Sequence, residues 1–346
     1  MNDFNLLIIN WYRQNKRNLP WRITKDPYKI WLSEVILQQT KVNQGLNYYV
    51  KFCKNYPTVF DLANASEQEV LSDWQGLGYY GRARNLHSAA KKIVLEYQGN
   101  FPNNFTNILK LNGVGEYTAS AIASFAYNLP HAVVDGNVYR VLSRVYDLDI
   151  PINSSQGQKT FAVLANELLN KENPAEHNQA IMEFGALQCT PKNPSCETCP
   201  LVQHCLARKN NTVSIRPVKT SKTKVRLRHF HFLHIENDTH ILITQRTQKD
   251  IWHNMYQFPL IEKEYVVNLN EFKNELKAIY ETEVELVKTN IKHILSHQHL
   301  HTTFWRMKTL PKTLEKKIEF QWVLKTELDK FPIPRVIERY LEEIVG

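Results

Sequence analysis

Four of the chain's five cysteines fall within residues 189–205, as Cys189, Cys196, Cys199 and Cys205, in the spacing C-x6-C-x2-C-x5-C. Nothing else in the sequence restricts the fold as strongly, because four thiolates in so short a segment point to one shared centre. In a reducing compartment such a group reads as a metal or cluster site before it reads as disulfides. Spacing alone allows an iron–sulfur cluster or a zinc ion. With every ligand supplied by protein no coordination position is left open, so the expected role is structural. Lys192, Arg208 and Lys209 flank the group and would present cations to a backbone phosphate.

With 346 residues, the chain has room for two domains. Residues 1–207 read as a helical domain that includes the cysteine loop. Apolar spacing of helical period runs through "DFNLLIINWY", with Asp3 as an N-cap, and Asp26-Pro27 is a strong helix start. The pattern continues over 66–74, 83–97, 116–127, 137–146 and 156–170. Residues 208–228, "RKNNTVSIRPVKTSKTKVRLR", are basic, lack an acidic residue and lack hydrophobic periodicity. They read as a linker, either solvated or contacting phosphate. Beyond it, "HFHFLHI" and "HILITQR" alternate as strands do, with helical stretches at 270–281 and 335–344. Residues 229–346 thus read as a small α+β domain.

Lys and Arg number 43 against 34 Asp and Glu, a net charge of +9 that suits a polyanionic partner. The apolar stretches fall short of a membrane span, and "MNDFNLLIIN" lacks the marks of a signal peptide. The expectation is a cytoplasmic protein with no membrane partner.

Gly113-Val114-Gly115 forms a turn between two helices, ahead of the small residues Ala119, Ala121 and Ala123. Glycine suits a turn that another backbone must approach, and the helix N-terminus that follows attracts an anion. The unit can hold one DNA phosphate, a contact that positions a protein without reading bases. Two carboxylates could act as an acid and an anion in breaking a glycosidic bond, or serve as a solvent-facing helix glutamate and a cap. Glu34, in "YKIWLSEVILQQTKV", shares a helical face with Ile30 and Leu37, where desolvation would raise its pKa. Asp135, before Gly136 and Asn137, suits a helix N-cap or turn.

A helix–hairpin–helix turn, then "VVDGNVYR", then the cysteine spacing, together resemble the endonuclease III superfamily of base-excision glycosylases, in which the cluster is 4Fe–4S. Lyase members carry a lysine in G-V-G-x-K-T-A. This chain reads "GVGEYTA", with Tyr117 in that place. A lysine there forms a Schiff base with the sugar. Tyrosine cannot. Within the superfamily, "WLSEVILQQTKV", "WQGLGYYGRARNL", "VVDGNVYRVLSR" and "HNQAIMEFGALQCTPKNPSC" resemble MutY-type adenine DNA glycosylases.

That resemblance implies a monomeric, monofunctional enzyme that removes adenine mispaired with 8-oxoguanine or guanine in double-stranded DNA, after flipping the base. Glu34 would protonate adenine, and Asp135 would stabilise the sugar cation with support from Asn137 and Tyr117. Tyr79 would be the wedge, Gln38, Gln39 and Thr40 would contact the lesion pair, and Arg17 and Gln179 would line the adenine pocket. "ILITQRTQKDIWHNMYQFP" resembles the family's C-terminal Nudix-like domain, without a Nudix box. The family reads the lesion with Phe-Ser-His; here Leu295 precedes Ser296 and His297. Asn112 stands where proline is usual before Gly113. His293, His297, His299 and His301 read as strand and loop residues of a DNA-facing surface rather than a metal site. The rival enzyme is an endonuclease III-like lyase, which its missing lysine disfavours. The rival of another class is a non-catalytic DNA-binding module.

Overall fold

Asp26 caps a helix as its position before proline implies, its side chain accepting the Tyr28 backbone N–H at 3.0 Å. A computed structural model describes residues 3–220, 225–307 and 320–345. Residues 221–224 of the basic linker therefore lie outside the described residues. In chain order the helices are α1 (Asp3–Asn15), α2 (Pro27–Leu37), α3 (Val42–Asn55), α4 (Val59–Asn64), α5 (Glu67–Asp73), α6 (Gly81–Tyr97) and α7 (Phe105–Leu109). They continue as α8 (Glu116–Tyr127), α9 (Gly136–Val145), α10 (Ser155–Leu168), α11 (Pro174–Leu187) and α12 (Leu206–Lys209). Asp3 opens α1 from within its first turn, where a carboxylate suits the positive end of the helix.

The chain forms two compact units. The first takes Met1–Asn64 and Asn85–Ser221, the second Ala65–Arg84 and Lys222–Gly346. A core of the first unit joins α1, α9, α10 and α11 through Ile8, Val141, Leu142, Phe161, Ile181 and Phe184, with Cys189 and Cys199 packed at its edge. Seating the cysteine loop against this core fixes it relative to the start of α9.

The second unit is α+β. Its strands are β1 (Arg226–Ile235), β2 (His240–Gln245), β3 (Tyr256–Gln257), β4 (Leu260–Lys263), β5 (Val284–Ile294), β6 (Gln298–Met307) and β7 (Phe320–Leu324), with helices α13 (Leu269–Tyr280) and α14 (Arg335–Val345). One sheet runs β4-β1-β6-β5, and the other β3-β2-β7. Strands β1 and β6 pair in parallel, and the other pairs are antiparallel. Alternation sorts β1: Leu233 and Ile235 pack with Phe272 and Leu276 of α13, whereas His234 on the opposite face meets Tyr340 of α14. Tyr340 in turn stacks on Phe304 at 3.9 Å between centroids.

Candidate active site

Helix α2 is apolar on nearly every side, so it is buried along most of its length and takes Glu34 inside with it. Glu34 is 7% exposed. It lines a cavity of about 550 Å³ together with Arg17, Arg22, Tyr117, Asp135, Asn137, Gln179 and Glu183. Four further elements of the first unit thus bring five of the sequence-derived catalytic and pocket residues to Glu34: Arg17, Tyr117, Asp135, Asn137 and Gln179. The Tyr117 hydroxyl donates to Glu34 Oε2 at 2.8 Å. Burial pushes the Glu34 carboxyl up to about 7; the Tyr117 hydrogen bond pulls it down and the charge of Asp135 pushes it further up.

Asp135 is both the N-cap of α9 and a wall of the cavity. Its Oδ1 accepts the N–H groups of Asn137 and Val138, each at 2.8 Å, and its Oδ2 accepts Asn137 Nδ2 at 2.7 Å. Burial raises its pKa as well, but these donors and Arg140 oppose the rise. Three donors thus hold the charged form of Asp135, against the single Tyr117 hydroxyl on Glu34.

The sequence pointed to Arg17 and Gln179 but not to what holds them. Arg17 grips Glu183 with Nε at 2.8 Å and Nη2 at 2.6 Å, and Arg22 Nη2 adds a third side-chain contact at 2.6 Å. Burial lifts the Glu183 carboxyl, but hydrogen bonds from Arg17 and Arg22 outweigh it and hold it at about 2. Gln179 accepts the Tyr12 hydroxyl at 2.7 Å. Glu183 lies four residues after Gln179 in α11, a spacing that puts both on one helical face and could have revealed it. Arg22 carries no comparable signal.

In the Gly113–Gly115 turn only the first glycine is required by the backbone. Gly113 has φ +75, and a Cβ there would come within 2.6 Å of Asn85 Cβ. Gly115 caps α8, and a Cβ on it would meet nothing within 4 Å. Gln38 donates to Thr118 at 3.1 Å, Gln39 adopts φ +55, and Thr40 donates to the Gln38 carbonyl at 3.3 Å while lining the cavity.

Tyr79, Ser296 and His297 belong to the second unit rather than to this cavity. There the structure joins the wedge candidate to the loop candidate, because the Tyr79 hydroxyl lies 2.5 Å from Ser296 Oγ. Tyr79 is 49% exposed with φ +49. Arg82, which the sequence reading did not single out, stands 5.7 Å from its ring and 5.0 Å from that of Trp74. Hairpin closure through the Leu295 N–H to the Gln298 carbonyl, at 2.8 Å, presents Ser296 and His297 to solvent. Among the described residues the histidines join no group able to hold a metal ion.

All four cysteines of the loop line one pocket, walled by Val145, Phe184 and Leu201. Arg144 Nη1 donates to Cys189 Sγ at 3.4 Å, and burial pushes the Cys199 thiol up to about 11. Four thiols gathered in an apolar pocket beside a guanidinium fit an iron–sulfur cluster, whose positive iron would keep them ionised. Arg140 ties this loop to the cavity, donating to the Cys189 carbonyl at 2.7 Å and to Asn137 Oδ1 at 2.8 Å.

Hairpin, cysteine loop and buried carboxylates together define a base-excision DNA glycosylase. Residues 32–165 match the HhH-GPD superfamily of base excision DNA repair proteins, 189–205 the iron-sulfur binding domain of endonuclease III, and 231–343 the NUDIX domain. The adenine DNA glycosylase of Buchnera aphidicola subsp. Schizaphis graminum is 33% identical over 308 residues, covering 86% of this chain and 85% of that one. That of Buchnera aphidicola subsp. Acyrthosiphon pisum is 30% identical and covers 98% and 97%. A solved thermostable thymine-DNA glycosylase superposes with a TM-score of 0.55 at 30% identity, covering 60% of this chain and 95% of that one. The chain belongs to the adenine DNA glycosylase family. It is a DNA glycosylase that carries an iron–sulfur loop and a Nudix-like α+β domain.

Proposed function

We propose that this enzyme is a monomeric, monofunctional glycosylase that hydrolyses the bond between adenine and deoxyribose where adenine is mispaired with 8-oxoguanine or guanine. The observation that carries the reading is the Glu34–Tyr117 contact at 2.8 Å, in the cavity that Asp135 also lines. With a pKa of about 7, Glu34 is substantially protonated at neutral pH and can donate to N7 of a flipped adenine. As the glycosidic bond breaks, its electron pair leaves with the base and positive charge grows on the sugar. Asp135, held by three short hydrogen bonds, is pre-organised to stabilise that charge. Glu34, now ionised, takes a proton from the water that adds to the sugar.

Residues 1–207 would do this chemistry, 208–228 would link, and 229–346 would read the lesion, with Tyr79 as wedge and Ser296 and His297 on the purine edge. Gln38, Gln39 and Thr40 would contact the lesion pair, Arg17 and Gln179 the adenine, and Gly113 and Gly115 one phosphate. Cys189, Cys196, Cys199 and Cys205 would hold one 4Fe–4S cluster, which supplies structural cross-linking and no catalytic step. The enzyme would work in the cytoplasm, on nucleoid DNA.

The test incubates excess enzyme with a duplex carrying adenine opposite 8-oxoguanine, with and without hot alkali. Breaks only after alkali are expected, since Tyr117 offers no amine. Breaks without alkali would instead indicate a lyase, and Lys41, which also lines the cavity, is the amine to replace first. Binding without breaks would leave a non-catalytic module.

A further inference from the structure

One rung of the four-stranded sheet is basic from edge to edge. His229 of β1 pairs with Lys263 of β4 on one side and with His301 of β6 on the other, and His301 pairs with Lys292 of β5. Directly paired residues share a face, so all four side chains stand on the face that α13 covers farther along. The two imidazoles stack at 5.2 Å between centroids. Lys292 is exposed, the other three partly so. Lys263 also reaches Glu275 of α13 at 3.6 Å. Leu227 and Ile294, one rung nearer the Ser296 hairpin, are 56% and 65% exposed.

We infer that this rung is a second DNA contact of the Nudix-like domain, gripping backbone phosphates beside the lesion pair. The inference rests on the reading of the Ser296–His297 hairpin as a lesion reader, because that hairpin joins β5 to β6 and ends only a few residues from Lys292 and His301. Neighbouring strands lie about 4.8 Å apart, so the rung spans roughly 14 Å. One DNA strand presents about four phosphates over that length of helix axis. Two ammonium groups supply charge, and two imidazoles supply N–H donors even when neutral. Nothing in such a row distinguishes bases, so it positions without specifying.

The test uses the full chain and measures binding to lesion and undamaged duplexes across a salt series, with single-turnover excision at saturating enzyme. Replacing both lysines, K263Q/K292Q, is expected to weaken both duplexes about tenfold and to make the log–log salt slope shallower by about 1.8, leaving the excision rate intact. K263R/K292R should behave as wild type, which separates charge from folding. An unchanged slope in K263Q/K292Q, with wild type still excising adenine, would overturn the phosphate contact alone. Weakening confined to the lesion duplex would overturn it too, since a phosphate contact is blind to the base. Wild-type protein that fails to excise would remove the underlying reading instead.

Discussion

Glu34 occupies a place where an ionised carboxylate is costly, and that cost should show in both stability and rate. Its folded pKa of about 7 exceeds the unfolded value of 4.5, so the folded state binds the extra proton between those limits. Its contribution to stability is therefore fully present below about pH 4.5 and is lost as pH rises through 7, by roughly 3 kcal/mol for a shift of this size. Glu34→Gln stays neutral, so it should melt higher than wild type at pH 8, and thermal melts at pH 4 should bring the two together. The same variant should bind lesion DNA yet lose at least about 100-fold in base release; near-normal release would remove Glu34 as the acid. Tyr117→Phe makes the complementary point. Its hydroxyl favours the carboxylate, so deleting it should carry the alkaline limb of the pH–rate profile to higher pH. A limb that stays in place would leave Tyr117 a packing residue. Ile30 and Leu37 put Glu34 on an apolar helical face, but the period also allowed a solvent-facing glutamate, and it was the resemblance of "WLSEVILQQTKV" that singled the residue out. The sequence did not reveal Glu183 with Arg22, since that ion pair joins residues 161 positions apart, and no local period encodes a contact across such a distance.

At the scale of elements, helix α9 makes one residue serve two ends. Asp135 closes the N-terminus of α9 and faces the cavity, so a capping reading and a catalytic reading of the same Asp are compatible rather than rival. Asn caps as well as Asp. The Asn amide nitrogen would, however, face Asn137 Nδ2, a donor against a donor, so Asp135→Asn should keep the cap at a cost of about 1 kcal/mol while lowering excision at least about 100-fold, whereas Asp135→Ala should lose the cap as well, about 2 kcal/mol in all. Equal losses of activity and stability in the Asn variant would mean that the carboxylate acts only through the helix. The cysteine loop was legible for the opposite reason: its ligands are local, and spacing alone gathers them. Their donor set permits zinc or iron, so the element's identity rests on composition. About four irons and four acid-labile sulfides per chain are expected, with broad visible absorbance. Stoichiometric zinc in colourless, fully active protein would overturn the cluster.

Across the whole molecule, the chain crosses between its units more often than its composition suggests. Residues 65–84 look like another helical segment of the first domain, yet they pack with the second unit. Capping and periodicity make α5 a helix, but they carry no information about which core receives it. Polar contacts mark the attachment. Gln68 and Ser72 both donate to the Lys330 carbonyl, at 3.1 and 3.2 Å, and Gln75 accepts the Ile333 N–H at 3.3 Å. Asn254 donates to Glu67 at 2.5 Å, and Arg84 donates to the His253 carbonyl at 2.8 Å. Each such bond contributes about 1 kcal/mol, so a chain ending at residue 221 should lose several. Its thermal midpoint should fall by roughly 5–15 °C, as circular dichroism would record. Tyr79 would also lose Ser296, so discrimination between lesion and undamaged duplexes should fall further than total binding does. A truncated chain with an unchanged midpoint would mean that residues 65–84 hold their shape without the second unit, and the wedge would then be an autonomous part of the helical fold.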